Sequence, residues 1–301
     1  MRFWLILLAL GAGWGLTQPF SKIAVSGDYQ SFGIIFWQSV IGVVILSVVS
    51  LIRRKGLPMG AAHLRVYAVI ALVGTVVPNA FSYISYKQLD AGIMSIVIAT
   101  VPIFAFPIAL AMGNERMRLL RLVGLFLGFA GVLFLILPGQ EAIGQVSVIY
   151  ILIALIAPAL YGFEGNWVAR FGTAGLDPLQ VIFGSSLVGL VVSAPLALAL
   201  GQWITPSYPL GNPDWAVLAS SSIHIVVYSS YVWLIAAAGP VFAVQVSYIV
   251  TLSGVIWARM ILGESYSAWV WVALALVLAG VFLVQPKPKL ALVPEPVDGQ
   301  D

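Results

Sequence analysis

The residues that could do chemistry in this chain are polar and aromatic side chains set at helical spacing inside long apolar runs. Asn79, Tyr83 and Tyr86 stand at i, i+4 and i+7 beside Pro78, on one helix face. Ser220, His224, Tyr228 and Tyr231 make a second stripe. Trp14 and Gln18 precede Pro19, Tyr161 and Glu164 follow the run "VIYILIALIA", and Gln245 and Tyr248 lie in a later run. Facing hydrocarbon, each amide or imidazole would lack a partner, so these groups are expected to face one another or a watery space. Rings with polar tips suit an amphipathic solute: ring faces hold its apolar body, hydroxyls and amides its polar end. The expected solute-binding set is Trp14, Gln18, Asn79, Tyr83, Tyr161, His224, Tyr228, Gln245 and Tyr248. Glu164, Lys22 and His224 are expected to gate the path or carry protons.

Structural alternatives stand beside these readings. Asn79 and Gln245 could be interhelical glue. Lys22 could snorkel from the end of its run. Tyr86 and Tyr231 could join Trp203, Trp215, Trp257, Trp269 and Trp271 in an interfacial belt. Glu115 and Glu264 each follow a glycine at a helix start, where a carboxylate favours the N-terminal dipole. Neither a His nor an acidic residue sits at ligand spacing from His224, and the chain has no cysteine, so no metal site is expected. No phosphate-binding loop is present, and no cofactor or catalytic residue is expected.

The elements that must position these residues follow from composition. Of 301 residues, 61% are hydrophobic and only 8% charged, against roughly 25% charged in soluble domains. Apolar runs of about 20 residues recur, each long enough to cross hydrocarbon. The fold class is therefore an all-α polytopic membrane protein, since the runs are too long and too continuously apolar for barrel strands. Ten spans are expected, at 3–25, 31–52, 65–87, 91–113, 119–137, 147–170, 178–200, 215–237, 240–262 and 268–285. The start, "MRFWLILLALGAGWG", mimics a signal peptide, but the apolar pattern continues past Pro19 to Val25 and a first span is expected instead. Eleven of the fourteen Lys and Arg residues fall on one side if the N-terminus is cytoplasmic. Both termini are therefore expected in the cytoplasm. The end, "PKPKLALVPEPVDGQD", reads as a disordered cytoplasmic tail.

Shifted by 147 residues, the chain weakly matches itself. Trp14-Gly15 falls on Tyr161-Gly162, "IFWQSVIGVV" on "IFGSSLVGLV", and Ala91-Gly92 on Ala238-Gly239. With a two-residue slip, Glu115 falls on Glu264. The expected organisation is a first five-helix repeat at 1–138, a second at 139–286 and the tail at 287–301. Five is odd, so the second copy enters the membrane inverted, as in many secondary transporters. Gly11, Gly13, Gly15 and Pro19 in the first span, and Pro158, Gly162 and Gly165 in its mate, mark either hinges or close packing.

"GWGLTQPFSKIA" (13–24) resembles the first-helix signature of the EamA-type branch of the drug/metabolite transporter superfamily, with Trp14, Gly15 and Lys22 in place. The stretch at 99–136 is similar to that family's Pro-containing helix, Gly-Glu turn and Gly-rich last helix, and "IWARMILGESYSAWVWVALALVLAGVFLV" repeats the theme. The chain looks most like a bacterial aromatic amino-acid exporter. One departure is Gln38, which stands where an Arg is common in the family. The resemblance implies a secondary transporter of the bacterial inner membrane. Its partners would be the lipid bilayer and a small-molecule substrate, with amino acids including aromatic ones exported by alternating access; no nucleic-acid partner is implied. A drug or nucleotide-sugar carrier is the alternative, although a sugar nucleotide would want several cations at midplane. An intramembrane enzyme would need a metal motif or a nucleophile pair, and neither is evident.

Overall fold

The computed structural model describes residues 2–136, 145–206, 208–243 and 245–285. The tail at 287–301 lies outside them. The described residues form helices and no strand. We number ten of them: α1 Arg2–Ser26, α2 Ser31–Arg53, α3 Ala61–Tyr86, α4 Ala91–Ala111, α5 Leu119–Ile136, α6 Val148–Phe171, α7 Pro178–Ala199, α8 Asn212–Ala238, α9 Val246–Leu262 and α10 Ala268–Val284. The first eight contain stretches long and apolar enough to cross a membrane, and the last two are shorter apolar helices. A short helical turn, Pro240–Ala243, leads into α9.

Local chemistry sets the irregular points. Pro78 has no N–H to offer the carbonyl four residues back, and the preceding Leu72–Val76 winds as a π turn, with the Val77 N–H reaching Leu72. Ahead of Pro102, α4 breaks at Ala99–Thr100. At α7, Asp177 accepts from the Leu179 and Gln180 backbone N–H groups while the Gln180 side chain accepts from the Asp177 N–H, a reciprocal cap with Pro178 following.

Packing repeats across the two halves. α1 lies against α8 and α9, and α6 lies correspondingly against α3 and α4. α3 meets α7 as α8 meets α2. α2 pairs with α7, α4 with α9 and α5 with α10, each helix with its own counterpart. This is the pattern of two inverted five-helix repeats about a pseudo-twofold axis. The α5–α10 seam is a close backbone approach. A Cβ on Gly280 would stand 2.6 Å from the Gly124 O and 2.6 Å from the Gly128 N, so only glycine admits this backbone contact.

The bundle has two ends, named here by Lys22 and Asp177. At the Asp177 end, Arg53 and Lys55 donate to Asp177 at 2.9 and 3.2 Å, tying α2 to α7. Burial raises the Asp177 carboxyl, but hydrogen bonds from Arg53, the Gln180 backbone and Lys55 outweigh it and hold it at about 2. At the Lys22 end, the Phe32 N–H donates to Gln202 and the Trp37 indole to the Ile204 O, so the α7–α8 loop folds over the start of α2.

Candidate functional site

Four rings from α1 and α8 make an aromatic box. The Trp14 Nε1–H donates to His224 Nδ1 at 3.1 Å, and the Trp14 ring meets His224, Tyr228 and Tyr231 edge-on at centroid distances of 5.6, 6.2 and 5.8 Å. His224 stacks on Tyr228 at 6.2 Å. His224 is accessible, and its ring is held between Trp14 and Tyr228. The helical stripe read from the sequence is thus assembled, with Tyr231 inside the box rather than in an interfacial belt.

Beside the box lies a set of tyrosines paired with amides. The Tyr161 OH donates to Asn79 Oδ1 at 3.0 Å, joining α6 to α3. Gln38 donates to the Tyr83 OH. The Tyr86 OH donates to Gln18 Oε1. Tyr86 is only 4% exposed, so it is an interior hydrogen-bonding group and not a belt residue. Gln38 was legible only as an amide standing in place of a cation; its partner shows it to be part of the cluster. Gln245 and Tyr248 stay apart, with no hydrogen bond or ring contact to the other candidates among the described residues. Gln245 sits where the turn before α9 meets the helix, and the Tyr248 OH is buried without a hydrogen-bond partner there.

Glu164 lies on α6 one turn from Tyr161, on the same face of the helix. Its carboxylate packs on Gly74 in the π turn, so that a Cβ on Gly74 would fall 2.5 Å from Oε1. Its side chain therefore ends level with the middle of α3. The glycines around it divide. Gly162 packs on the Ala105 backbone, where a Cβ would come 2.8 Å from N, whereas Gly165 faces open space. Gly11 and Gly15 likewise seat α1 on α9 against Ile249 and Ser253. Asn166 donates to the Ala105 O and the Gly162 O, both at 2.9 Å, and serves as glue between α6 and α4.

Lys22 occupies a helix end instead of the cluster. Its Nζ donates to the Tyr86 O at 2.6 Å and the Leu89 O at 2.9 Å, the carbonyls at the close of α3. Glu264 completes the same corner. Its two oxygens accept the Ala91 and Gly92 N–H groups at 2.8 and 3.0 Å, and the Tyr266 OH donates to it at 2.5 Å. The helix dipole it serves is that of α4, in the other repeat, and not that of the helix following it. Burial and the nearby Glu264 raise the Asp90 carboxyl, and Lys22 partly offsets them. The counterpart corner, Ala238-Gly239 at the Asp177 end, is held differently. Glu115 pairs with Arg121 at 2.8 Å, and Arg170 donates to the Met112 O. No bond joins Glu115 or Arg170 to Ala238 or Gly239 among the described residues. Trp257 also leaves the expected belt, its indole donating to the Ala12 O at 3.0 Å.

Comparison with known proteins places this architecture. The EamA-like transporter family matches residues 2–137 and, again, 148–285. An uncharacterized protein of Pseudomonas aeruginosa is 31% identical over 81% of this chain and 80% of its own length. The uncharacterized inner membrane transporter YedA of Escherichia coli is 26% identical over 92% and 89%. The uncharacterized transporter YvbV of Bacillus subtilis is 24% identical over 95% and 92%. A solved crystal structure, 18% identical, shares the fold with a TM-score of 0.59 over 92% of this chain and 95% of that one.

Proposed function

The chain belongs to the EamA-like transporter family and is a transporter of small molecules across a membrane, not an enzyme; from that premise, we propose that it exports amphipathic metabolites, amino acids with aromatic members among them, by alternating access around the Trp14–Glu164 cluster. One observation carries this reading. Rings and amides from both repeats, on α1, α2, α3, α6 and α8, are joined by hydrogen bonds and ring contacts within the bundle. Trp14, Gln18, Asn79, Tyr83, Tyr161, His224 and Tyr228 hold the solute in this reading. Gln245 and Tyr248, both at the start of α9, complete the proposed set from the second repeat. Glu164, Lys22 and His224 gate the cavity or carry protons.

The inner membrane is the proposed location, supported by the likeness to YedA, with both termini cytoplasmic by the Lys/Arg bias. The proposed units are repeats at 1–138 and 139–286 with a disordered cytoplasmic tail at 287–301. Counterflow in proteoliposomes, run with a panel of amino acids with and without a pH gradient, tests the reading. Exchange of aromatic amino acids supports it, and exchange of none of them sinks it.

A further inference from the structure

The candidate cluster contains one formal charge with nothing to answer it. Glu164 makes no hydrogen bond and no ion pair among the described residues; its carboxylate packs on one side against Gly74 in the π turn of α3 and stays partly accessible. Three cations of the surrounding helices are committed elsewhere. Lys22 is on the α3 carbonyls, Arg170 is on the Met112 O, and Arg65 lies over the Trp167 ring at 5.8 Å. The polar groups on the neighbouring rings are neutral amides and hydroxyls. A carboxylate at membrane depth without a protein partner is costly in a low dielectric and is relieved by a cation that reaches it from the accessible side. Tyr161 stands three residues before Glu164 on the same face of α6, and Trp14 meets Tyr228 across the cluster at 6.2 Å, so the cluster supplies rings that favour that same charge. A second carboxylate would meet repulsion from Glu164 and find no Lys or Arg among the cluster side chains.

We propose that the cluster selects its solute by a positive amine: the ammonium group pairs with Glu164, the apolar body lies among the Trp14, Tyr161 and Tyr228 rings, and a solute carboxylate is dispensable. This rests on the transport reading above and narrows it to amphipathic amines, of which an amino acid is the case with an extra, unrecognised carboxylate. Gly74 is part of the device, because its missing Cβ leaves the space the carboxylate occupies.

The test uses the full chain in lipid nanodiscs and four ring-matched probes: phenethylamine, phenylalanine, 3-phenylpropionate and the neutral N-acetylphenethylamine. Phenethylamine should bind at least as tightly as phenylalanine, and 3-phenylpropionate should not compete. E164Q should weaken phenethylamine by about thirtyfold or more and leave N-acetylphenethylamine unchanged, while E164D keeps part of the affinity. G74A retains the charge but displaces it, and should also weaken the amine. Thermal melting of each variant establishes that it is folded. Binding of phenethylamine that is absent, or unchanged in E164Q, overturns the proposal, as does equal binding of 3-phenylpropionate. The two readings fail separately. Glu164-dependent amine binding without amino-acid counterflow removes only the amino-acid reading, and phenylalanine counterflow undiminished in E164Q removes only this one.

Discussion

The bond between Glu264 and the start of α4 should hold the Lys22 end of the bundle shut, and E264Q measures it. The carboxylate accepts two backbone N–H groups of the other repeat. The amide in E264Q keeps one acceptor oxygen and turns an NH2 toward the second donor, losing one charge-assisted bond and the attraction to the helix dipole. A hydrogen bond to a charged group contributes about 1.5–3 kcal/mol, and the dipole interaction lies partly within that figure. The site is only part-buried, so about 2 kcal/mol is the working value, or roughly thirtyfold in the opening equilibrium. The chain has no cysteine, so a single S95C provides the only thiol; Ser95 is 3% exposed and lies one turn inside α4 from Gly92. In nanodiscs, a polar maleimide should label S95C about thirtyfold faster when E264Q is added. Equal labelling rates in the two proteins, with thermal melting unchanged, would refute the role of this corner as a closure.

Three further outcomes follow from the packing and the caps. G280A drives a methyl into the Gly124–Gly128 backbone and should cost about 1–3 kcal/mol, whereas G165A enters open space in α6 and should gain up to about 1 kcal/mol of helix propensity; thermal melting of the pair in one detergent compares them. D177A removes the α7 cap together with the Arg53 and Lys55 ties and should lower stability by about 1–2 kcal/mol at pH 7. Because the Asp177 carboxyl is held down at about 2 in the fold, its contribution is present above the ordinary aspartate range near pH 4 and is lost as pH falls toward 2, so the wild-type and D177A melting curves should converge over that window. H224A leaves the Trp14 indole without its acceptor and should weaken ring-bearing solutes by about tenfold, read by competition binding.

How much of this was legible in the sequence depended on range. Most spans were readable because length and hydropathy are local, and Arg2–Ser26 or Pro178–Ala199 needed no partner to be recognised, whereas the expected span at 240–262 divides into a short turn and a helix that starts at Val246. The stripe containing His224 and Tyr228 was readable because a helix fixes which residues share a face. What the stripe met was not: the pairings of Trp14 with His224, and of Gln38 with Tyr83, span 210 and 45 residues. Spacing within one helix carries no information about the facing helix. The partners of Lys22 and Glu264 were not legible for the same reason, since each serves a helix end that is distant in sequence. The π turn left only Pro78 as a sign, and a proline in an apolar helix has several outcomes.

The pairing of each axial helix with its own counterpart has a consequence for how such a molecule is biased. If the two halves were identical, opening either end would break the same bonds, and the two conformations would weigh the same whatever the strength of each contact. Only the residues that differ between the copies can tip the balance. Lys22 faces no basic counterpart at Ala169, and Glu264 holds a neighbouring helix while Glu115 is turned to Arg121. Small asymmetries of this kind, laid over a large cancelling sum, decide which side rests closed, and a substitution far from any solute can reverse that preference.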